Sequence, residues 1–366
     1  MKKKILTIIG TRPNYIKVTQ FGKEFSKHSG LFDYRLLHTG QHYDQEMKDI
    51  FFTQLGLQKM DYALDANRGT PDEQIRNIIS GTVGVLQDWK PDLMIVVGDV
   101  NSTLAASIAA NRCDVKLAHV ESGLRSFDRT MPEEFNRIVT DRLADFCFVT
   151  EESGVRNLLR EGKKMEQIFL VGNTMIDTLM AFDHQFDQSS ILKQLGLKEK
   201  EYVLMTIHRP SNVDEVTSLS NVISLISHVA SKYKVVFPIH PRTRKNLSLF
   251  SLKEKTDSIS NLIMTDPLDY VSFQKLIRHC QLVITDSGGI QEETTFRKIP
   301  CLTLRPGTER PVTVDLGTNE LLPFDPKVID RKIKDIETGN YKRSSIPPLW
   351  DGNATSRIVE VLRTVL

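Results

Sequence analysis

Three acidic residues occupy positions from which a carboxylate can move a proton. Asp99 and Glu121 each stand at the end of a short apolar run, and Glu133 follows Pro132 at the predicted start of a helix. Carboxylates that crowd one site raise one another's pKa, so that one is protonated while another acts as a base. Acidic residues in a first helical turn also complement the helix dipole, which is the alternative role of Glu133. The set predicts general acid–base chemistry.

Two further segments are typical of helix starts that bind a phosphate. In the first, Gly10-Thr11-Arg12-Pro13 follows an apolar run, and Lys17 comes one helical turn later. Amide groups at a helix N-terminus attract anions, and Arg12 and Lys17 would add positive charge. An ordinary β–α turn with two solvated cations explains the same residues equally well, since the segment is neither a Walker loop nor a GxGxxG motif.

In the second segment, Asp286-Ser287-Gly288-Gly289 leads into a predicted helix that carries Glu293. Two glycines let a phosphate approach the backbone closely, and Glu293 could accept hydrogen bonds from two ribose hydroxyls. A capped helix whose acidic residues complement its dipole is the alternative. Because glycine pairs are poor helix formers, the segment favours a phosphate site.

His208 ends the first apolar run of the second half of the chain. It could contact a diphosphate or hydrogen-bond a neighbouring loop, and its position alone leaves both open. His240 and Arg242 are placed similarly. The sequence contains no HExxH motif, no zinc-ligand spacing and no nucleophile elbow, so we expect neither a metal site nor serine-hydrolase chemistry.

These residues follow short apolar runs that alternate with helical patterns. Runs that are apolar throughout suit strands buried on both faces, and the alternation with helices indicates parallel sheets. The sequence therefore predicts two open α/β domains in tandem, with ligands at the carboxyl ends of the strands in the cleft between the domains. The predicted strands are Ile5–Ile9, Tyr34–His38, Leu93–Val97, Lys116–Val120, Phe146–Val149, Ile168–Val171, Tyr202–Ile207, Lys234–Ile239, Leu262–Thr265, Leu282–Thr285 and Cys301–Leu304.

Chain length also favours two domains, because 366 residues exceed what one hydrophobic core usually organises. A helical stretch over Thr174–Lys200 separates the two sets of strands. We predict domains over residues 1–175 and 176–352, followed by an amphipathic C-terminal helix over residues 353–366.

Composition narrows the classes of function. The 48 basic residues nearly cancel the 46 acidic ones, which argues against a general nucleic-acid binder. No apolar run is long enough for a signal peptide or a membrane span. The four cysteines form no CxxC pair and suit free, buried thiols in a reducing compartment. We expect a cytoplasmic protein without nucleic-acid or membrane partners.

Taken together, the polar segments resemble the non-hydrolysing UDP-N-acetylglucosamine 2-epimerase family along nearly the whole chain. The order and spacing of the segments make this resemblance specific. The matching segments are Gly10-Thr11-Arg12-Pro13, Thr39-Gly40-Gln41-His42, Gly98-Asp99, His119-Val120-Glu121-Ser122-Gly123-Leu124-Arg125, Pro132-Glu133-Glu134-Phe135-Asn136-Arg137, Gly172-Asn173-Thr174, His208-Arg209, Asp286-Ser287-Gly288-Gly289-Ile290-Gln291-Glu292-Glu293 and Thr308-Glu309-Arg310-Pro311.

The resemblance implies a glycosyltransferase-B fold of two Rossmann-like domains, with the C-terminal helix packed back on the first. It also implies a homodimer that uses a UDP-sugar substrate and no cofactor. It further implies that the acid–base carboxylates and the active-site histidine are Asp99, Glu121, Glu133 and His208. The implied UDP contacts are Arg12, Lys17, Ser287, Gly288, Gly289, Glu293 and Arg310.

The chemistry of a 2-acetamido sugar agrees with this set of residues. The proton on C2 is not next to a carbonyl, so a base cannot simply remove it. Oxidation at C3 would need a nicotinamide, and the chain lacks a dinucleotide fingerprint. Anti elimination of UDP to a 2-acetamidoglucal, followed by re-addition, needs instead cations, a base and an acid.

Two departures from the family pattern bear on substrate and regulation. Arg209-Pro210-Ser211-Asn212 replaces the common Arg-Arg-Glu-Asn, and Tyr43-Asp44 follows Gln41-His42 where substrate-activated bacterial members differ. The second departure is similar to relatives that act on diacetamido uronic acids. Alternative functions are a UDP-sugar glycosyltransferase of the same fold, a hydrolysing 2-epimerase, and a UDP-sugar-binding sensor without catalysis.

Overall fold

The chain folds into two compact units, as seen in a computed structural model that describes residues 1–41, 55–66 and 69–366. Unit 1 comprises Met1–Phe182 and Pro348–Leu366, and unit 2 comprises Asp183–Pro347. The division between the two units falls after Phe182, whereas the sequence predicts it after residue 175. The helix that is predicted to start at Thr174 therefore begins in unit 1. His42, Tyr43 and Asp44 lie outside the described residues.

Unit 1 is built on a seven-stranded, all-parallel sheet with the strand order β3-β2-β1-β4-β5-β6-β7. Its strands are β1 (Lys3–Ile9), β2 (Phe32–His38), β3 (Tyr62–Ala63), β4 (Leu93–Val97), β5 (Lys116–Ser122), β6 (Phe146–Val149) and β7 (Ile168–Leu170). Its helices are α1 (Arg12–Val18), α2 (Phe21–Lys27), α3 (Pro71–Trp89), α4 (Asn101–Arg112), α5 (Pro132–Leu143), α6 (Glu152–Arg160) and α7 (Thr174–Ala181).

Unit 2 repeats this arrangement with six parallel strands in the order β10-β9-β8-β11-β12-β13. Its strands are β8 (Tyr202–Thr206), β9 (Lys234–Pro238), β10 (Leu262–Thr265), β11 (Leu282–Thr285), β12 (Cys301–Thr303) and β13 (Asn319–Leu321). The remaining helices are α8 (Asp183–Gln188), α9 (Ile191–Gln194), α10 (Pro210–Val213), α11 (Val216–Ala230), α12 (Pro241–Leu249), α13 (Lys253–Asp257), α14 (Tyr270–His279), α15 (Gly288–Arg297), α16 (Pro311–Asp315), α17 (Pro326–Glu337) and, in unit 1, α18 (Ala354–Val365).

Both sheets confirm the predicted parallel α/β class. Every residue of β4 is buried, as expected for a strand covered by helices on both faces. The sequence did not predict β3 or β13, because these edge strands have only two and three residues and no apolar run. In each sheet the strand order reverses between two central strands, β1 and β4 in unit 1 and β8 and β11 in unit 2. Crevices at such switch points are where α/β sheets bind ligands.

Polar contacts hold the C-terminal segment in unit 1. The buried Trp350 donates its indole N–H to the carbonyl of Thr150 at 3.1 Å. The Asp177 carboxylate accepts from the amides of Ala354 and Thr355 at 3.1 and 2.6 Å, which caps the start of α18. Asp177 thus satisfies amides that a helix leaves without internal partners.

The cysteines carry free thiols, three of them buried and Cys113 partly exposed. Burial raises the pKa of Cys147 and Cys280 to about 12 and that of Cys301 to about 11, so these thiols are protonated near neutral pH. Among the described residues, no helix combines the length and the apolar character that crossing a bilayer requires.

Candidate active site

Glu121 stands at the carboxyl end of β5 in a backbone conformation that L-residues rarely adopt. Its φ is +70°, and the register between β5 and β6 shifts between Val120 and Ser122. A bulge of this kind re-aims a side chain, and the left-handed backbone costs about 1–3 kcal/mol. The side chain is only 6 % exposed. The fold therefore holds this carboxylate in place at an energetic cost.

Lys17 from α1 forms an ion pair with Glu121, and both side chains are nearly buried. A β-carbon on Gly98 would lie 3.1 Å from the Lys17 ammonium, so the lysine also lies beside the turn that follows β4. The family resemblance implied that Lys17 contacts UDP. In the structure the Lys17 ammonium is paired with Glu121, and its contact with UDP stays a prediction.

Asp99 follows β4, the strand next to β5, and is held by α5. Arg137 donates to the Asp99 carboxylate at 2.5 Å, and Asn136 donates to the Asp99 backbone carbonyl at 2.8 Å. Asp99 keeps a partly exposed side chain. Asp99 and Glu121 therefore lie at the ends of two neighbouring strands, and each is paired with a cation.

The two glutamates at the start of α5 differ in environment. Glu133 is exposed, whereas Glu134 is 1 % exposed and forms an ion pair with Arg137 at 3.0 Å. Within the described part of the chain, the Glu133 side chain forms no ion pair or hydrogen bond. The sequence could not separate the two roles, because adjacent residues on a helix point about 100° apart and the helix phase was unknown.

A buried charge network lies beneath these carboxylates. His119 bonds through one ring nitrogen to the carbonyl of Gly98 at 2.8 Å and through the other to Asp141 at 2.6 Å. Asp141 also pairs with Arg125 at 2.7 Å and accepts from the amide of Gly123 at 3.0 Å. Burial would raise the pKa of Asp141, but His119 and Arg125 hold it below its ordinary value. The network ties the ends of β4 and β5 together.

The turn after β1 is less available to an anion than the sequence suggested. The Asn14 side chain accepts from the amides of Gly10 and Thr11, both at 3.2 Å, and donates to the carbonyl of Val97 at 2.9 Å. Pro13 has no N–H to offer. An anion at this turn would therefore depend on Arg12 rather than on several free amides.

In unit 2, Asp286 organises the ends of β8 and β11. This fully buried carboxylate accepts from the His208 ring at 3.0 Å, from the amides of His208 and Arg209, and from the Asn212 side chain at 2.8 Å. Burial alone would raise the pKa of Asp286, but the bonds from His208, Arg209 and Asn212 lower it. Asp286 fixes the ring of His208, whose side chain is 39 % exposed.

His240, at the end of β9, lies against the His208 ring with 5.4 Å between ring centroids. Its Nδ1 accepts from the amide of Arg242 at 3.2 Å, so it caps α12. Burial, and after it the charges of His208 and Arg242, lower the pKa of His240. Arg242 itself is paired with Asp214 at 2.6 Å. The sequence predicts only that His240 and Arg242, like His208, follow an apolar run; the contact between the two rings depends on the tertiary packing of the strand ends.

Asp286→Asn should destabilise the protein at neutral pH by roughly 1–3 kcal/mol, since the ionised carboxylate accepts several hydrogen bonds. Because the pKa of Asp286 is lower in the folded state, its contribution is present above the unfolded-state value near 3.8. The contribution is lost as pH falls through the folded-state value. Denaturant unfolding of both proteins from pH 7 to pH 3 should show the two stabilities converging only at the acid end. A constant difference over that range would contradict the assignment.

Helix α15 begins in unit 2 with Gly288 and Gly289, directly after Ser287. Arg310 lies against this helix start, because a β-carbon on Gly288 would be 2.7 Å from its guanidinium and 2.6 Å from the Glu309 carboxylate. Arg310 is buried and pairs with Glu309 and, at 2.9 Å, with Glu292. A fixed guanidinium thus lies beside a ten-residue helix's N-terminus, a combination that suits a phosphate.

Glu293 and Arg305 add further charge to this part of unit 2. Glu293 is 5 % exposed on α15. Arg305 donates to the second oxygen of Glu309 at 2.8 Å, so the carboxylate bridges two guanidiniums. The sequence could not single out Glu292 as a partner of Arg310, because that contact joins α15 to the segment after β12. The contacts of Glu309 with Arg305 and Arg310 are local in the chain.

Gly288→Ala tests the close approach of Arg310. The added methyl would displace the Arg310–Glu309 pair, so we expect UDP affinity to fall about 10-fold or more while the fold survives. Gly307→Ala is the matched control, since a β-carbon added there would meet no atom of the described residues within 4 Å. Calorimetric titration with UDP compares the two variants. Equal affinities would show that the helix start does not hold the diphosphate.

Two parallel α/β units, one carrying the cation-paired Asp99 and Glu121 and the other a glycine-led helix start beside Arg310, define a protein of the glycosyltransferase-B fold class. A family model described as UDP-N-acetylglucosamine 2-epimerase matches residues 23–363. The chain belongs to this family and is an epimerase.

Individual relatives cover the chain almost completely. It is 37% identical over 364 residues to a UDP-N-acetylglucosamine 2-epimerase of Methanococcus maripaludis, covering 98% of each chain. It is 36% identical over 363 residues to a UDP-2,3-diacetamido-2,3-dideoxy-D-glucuronate 2-epimerase of Pseudomonas aeruginosa, covering 98% of this chain and 99% of the relative. The crystal structure of the Methanocaldococcus jannaschii UDP-GlcNAc 2-epimerase with UDP-GlcNAc and UDP matches with a TM-score of 0.89 at 37% identity, covering 99% of each chain.

Proposed function

We propose that this protein interconverts the two C2 epimers of a UDP-linked N-acetylhexosamine without hydrolysing it, with UDP-N-acetylglucosamine as the first candidate substrate. The observation that carries the proposal is the pair Asp99 and Glu121, two cation-paired carboxylates at the ends of the neighbouring strands β4 and β5. Relatives named as 2-epimerases match nearly the whole chain.

The proposed reaction begins with elimination. A unit 1 carboxylate takes the proton from C2, the bond from C1 to the diphosphate oxygen breaks, and the electron pair leaves with UDP. The product is a 2-acetamidoglucal with a double bond between C1 and C2. Glu121 suits the role of base because its strained backbone fixes the carboxylate and Lys17 pairs with its charge.

Re-addition completes the cycle. A carboxylic acid delivers a proton to C2 on the opposite face, and the diphosphate oxygen re-forms the bond to C1. We assign the second proton transfer to Asp99 or Glu133. Asp99 is anchored by Arg137, whereas Glu133 is exposed, so the two differ in how firmly they are positioned.

The leaving diphosphate acquires charge as the C1–O bond breaks, so fixed donors stabilise the transition state. We assign this role in unit 2 to Arg310, to the amides at the start of α15 behind Ser287, Gly288 and Gly289, and to His208. The Asp286–His208 bond keeps the histidine oriented. Glu293 remains the candidate for the ribose, and Arg12 a candidate for a further phosphate contact.

Product analysis tests this function against its rivals. Purified protein with UDP-N-acetylglucosamine, in water and without any acceptor, should yield UDP-N-acetylmannosamine with the diphosphate linkage intact by phosphorus and proton NMR. Release of free N-acetylmannosamine would identify a hydrolysing epimerase instead. Turnover only after an acceptor is added would identify a glycosyltransferase, and binding without turnover a sensor.

A second candidate substrate is the diacetamido uronic acid of the Pseudomonas aeruginosa relative, since identity to that protein is only one point lower. The same assay with UDP-2,3-diacetamido-2,3-dideoxy-D-glucuronate decides between the two. The substrate that the protein turns over with the higher kcat/KM is the one we would assign to it.

A further inference from the structure

Phe127 combines two features that each cost free energy. Its side chain is 74 % exposed, although it is a large aromatic residue. Its φ is +59°, in the left-handed region that bulky residues rarely adopt. A glycine would avoid the backbone cost, and a polar residue would avoid exposing a phenyl ring to water.

The surrounding hydrogen bonds impose this conformation. The buried Glu134 carboxylate accepts from the amides of Ser126 and Phe127 at 2.8 and 2.9 Å and from the Ser126 hydroxyl at 3.0 Å. Two consecutive amides bound to one carboxylate leave the segment little freedom. The backbone that carries the exposed ring is therefore held in place by specific local contacts.

The same carboxylate is connected to the candidate acid–base site through Arg137. Arg137 bridges Glu134 at 3.0 Å and Asp99 at 2.5 Å, so two side chains, Glu134 and Arg137, link the segment that carries Phe127 to a candidate catalytic carboxylate. Ser126 and Phe127 also come shortly after Glu121 in the chain, past the end of β5. Phe127 is thus linked to the part of unit 1 whose carboxylates we assign to proton transfer at C2 of the sugar.

We propose that Phe127 is a specificity-determining residue that packs against the sugar of the nucleotide sugar. The ring would contact the C–H groups of the pyranose and the methyl group of the acetamido substituent. Aromatic rings suit such surfaces because the contact removes the face of the ring and the apolar face of the sugar from water, which is favourable, and because it has a defined geometry. The inference rests on the proposed function, because it takes the ligand to be an N-acetylated UDP-sugar.

Binding of two ligands tests the proposal, since UDP lacks the sugar. Phe127→Ala should raise the dissociation constant of UDP-N-acetylglucosamine, or its KM, by about 10- to 100-fold, the usual effect of deleting a buried apolar contact. The dissociation constant of UDP should change less than about twofold. Phe127→Trp keeps an aromatic surface and should stay near the wild-type values.

Two further variants separate binding from folding. Phe135→Ala removes another exposed phenylalanine, 61 % exposed in α5, and should leave both affinities unchanged. Phe127→Gly removes the left-handed strain, so its melting temperature should equal or exceed that of the wild type while sugar affinity still falls. Unchanged UDP-N-acetylglucosamine affinity in Phe127→Ala, or an equal loss of UDP affinity, would overturn the proposal.

Failure of the proposed function gives a different result. A wild-type protein that binds UDP-N-acetylglucosamine without epimerising it would refute the function, while the affinity difference between wild type and Phe127→Ala would still decide the role of the ring. A wild-type protein that epimerises normally, with Phe127→Ala indistinguishable from it, would refute only the role of Phe127.

Discussion

Asp99→Asn should lower epimerase turnover by about 10²–10⁴-fold, the usual contribution of general acid–base catalysis, because the amide keeps the size of the side chain but cannot exchange protons. Stability should change little, since Arg137 retains its ion pair with the buried Glu134. UDP affinity should also stay near the wild-type value. Steady-state kinetics, calorimetry with UDP and thermal unfolding measure the three quantities.

Glu121→Gln should lower turnover by a similar factor but should also destabilise the fold. Lys17 is only 6 % exposed and would lose the carboxylate with which it is paired, a change that typically costs about 3–5 kcal/mol. The double variant Lys17→Met, Glu121→Gln removes both charges and should recover stability without recovering turnover. Recovery of turnover in the double variant would show that Glu121 acts through the fold and not through a proton.

Glu133→Gln serves as the comparison within this set. If Glu133 only complements the dipole of α5, the variant should lose about 0.3–1 kcal/mol of stability and keep near-normal epimerisation. We expect a clear loss of turnover with little loss of stability. Normal turnover in Glu133→Gln would reduce the three candidate acid–base carboxylates to two, Asp99 and Glu121.

Arg310→Ala should weaken UDP binding by about 10- to 100-fold and slow turnover as well. Charge-assisted hydrogen bonds of this kind are each worth about 1.5–3 kcal/mol, and the guanidinium lies directly beside the start of α15. The variant should also unfold at a lower temperature, since Glu292 and Glu309 both lose an ion pair.

Arg242→Ala is the matched control for Arg310→Ala. Arg242 also follows a strand of unit 2, but it is half exposed and both its bonds go to Asp214. Surface ion pairs contribute about 0–1 kcal/mol, so stability should barely change. UDP affinity should remain at the wild-type value. If Arg242→Ala weakened UDP binding as much as Arg310→Ala, the assignment of the phosphate site to α15 would be wrong.

The sequence was sufficient for the strands that carry the candidate site. β4 and β11 have the bounds that their apolar runs predicted, because strands buried on both faces contain few polar residues to blur the pattern. Asp99 and Glu121 could be singled out since parallel strands place their carboxyl ends along one edge of a sheet. β13 was missed because Asn319-Glu320-Leu321 has no apolar pattern.

The partners of the candidate residues could not be predicted in the same way. The contact between Lys17 and Glu121 joins residues more than one hundred positions apart, and it depends on the packing of α1 beside β4 and β5. The contrast between Glu133 and Glu134 depends on the phase of α5, and the strain at Glu121 and Phe127 depends on backbone angles. No local pattern in the sequence predicts this ion pair, this helix phase or these backbone angles.

The measurement that tests the central claim most directly is deuterium incorporation at C2. The protein is incubated with UDP-N-acetylglucosamine in deuterated water, and both epimers are examined by proton NMR as the mixture approaches equilibrium. If UDP leaves and C2 is reprotonated by carboxylic acids that exchange with solvent, deuterium should appear at C2 of both epimers, with traces of UDP and glycal. Epimerisation with full retention of the C2 proton would contradict the elimination mechanism and the roles of Asp99 and Glu121.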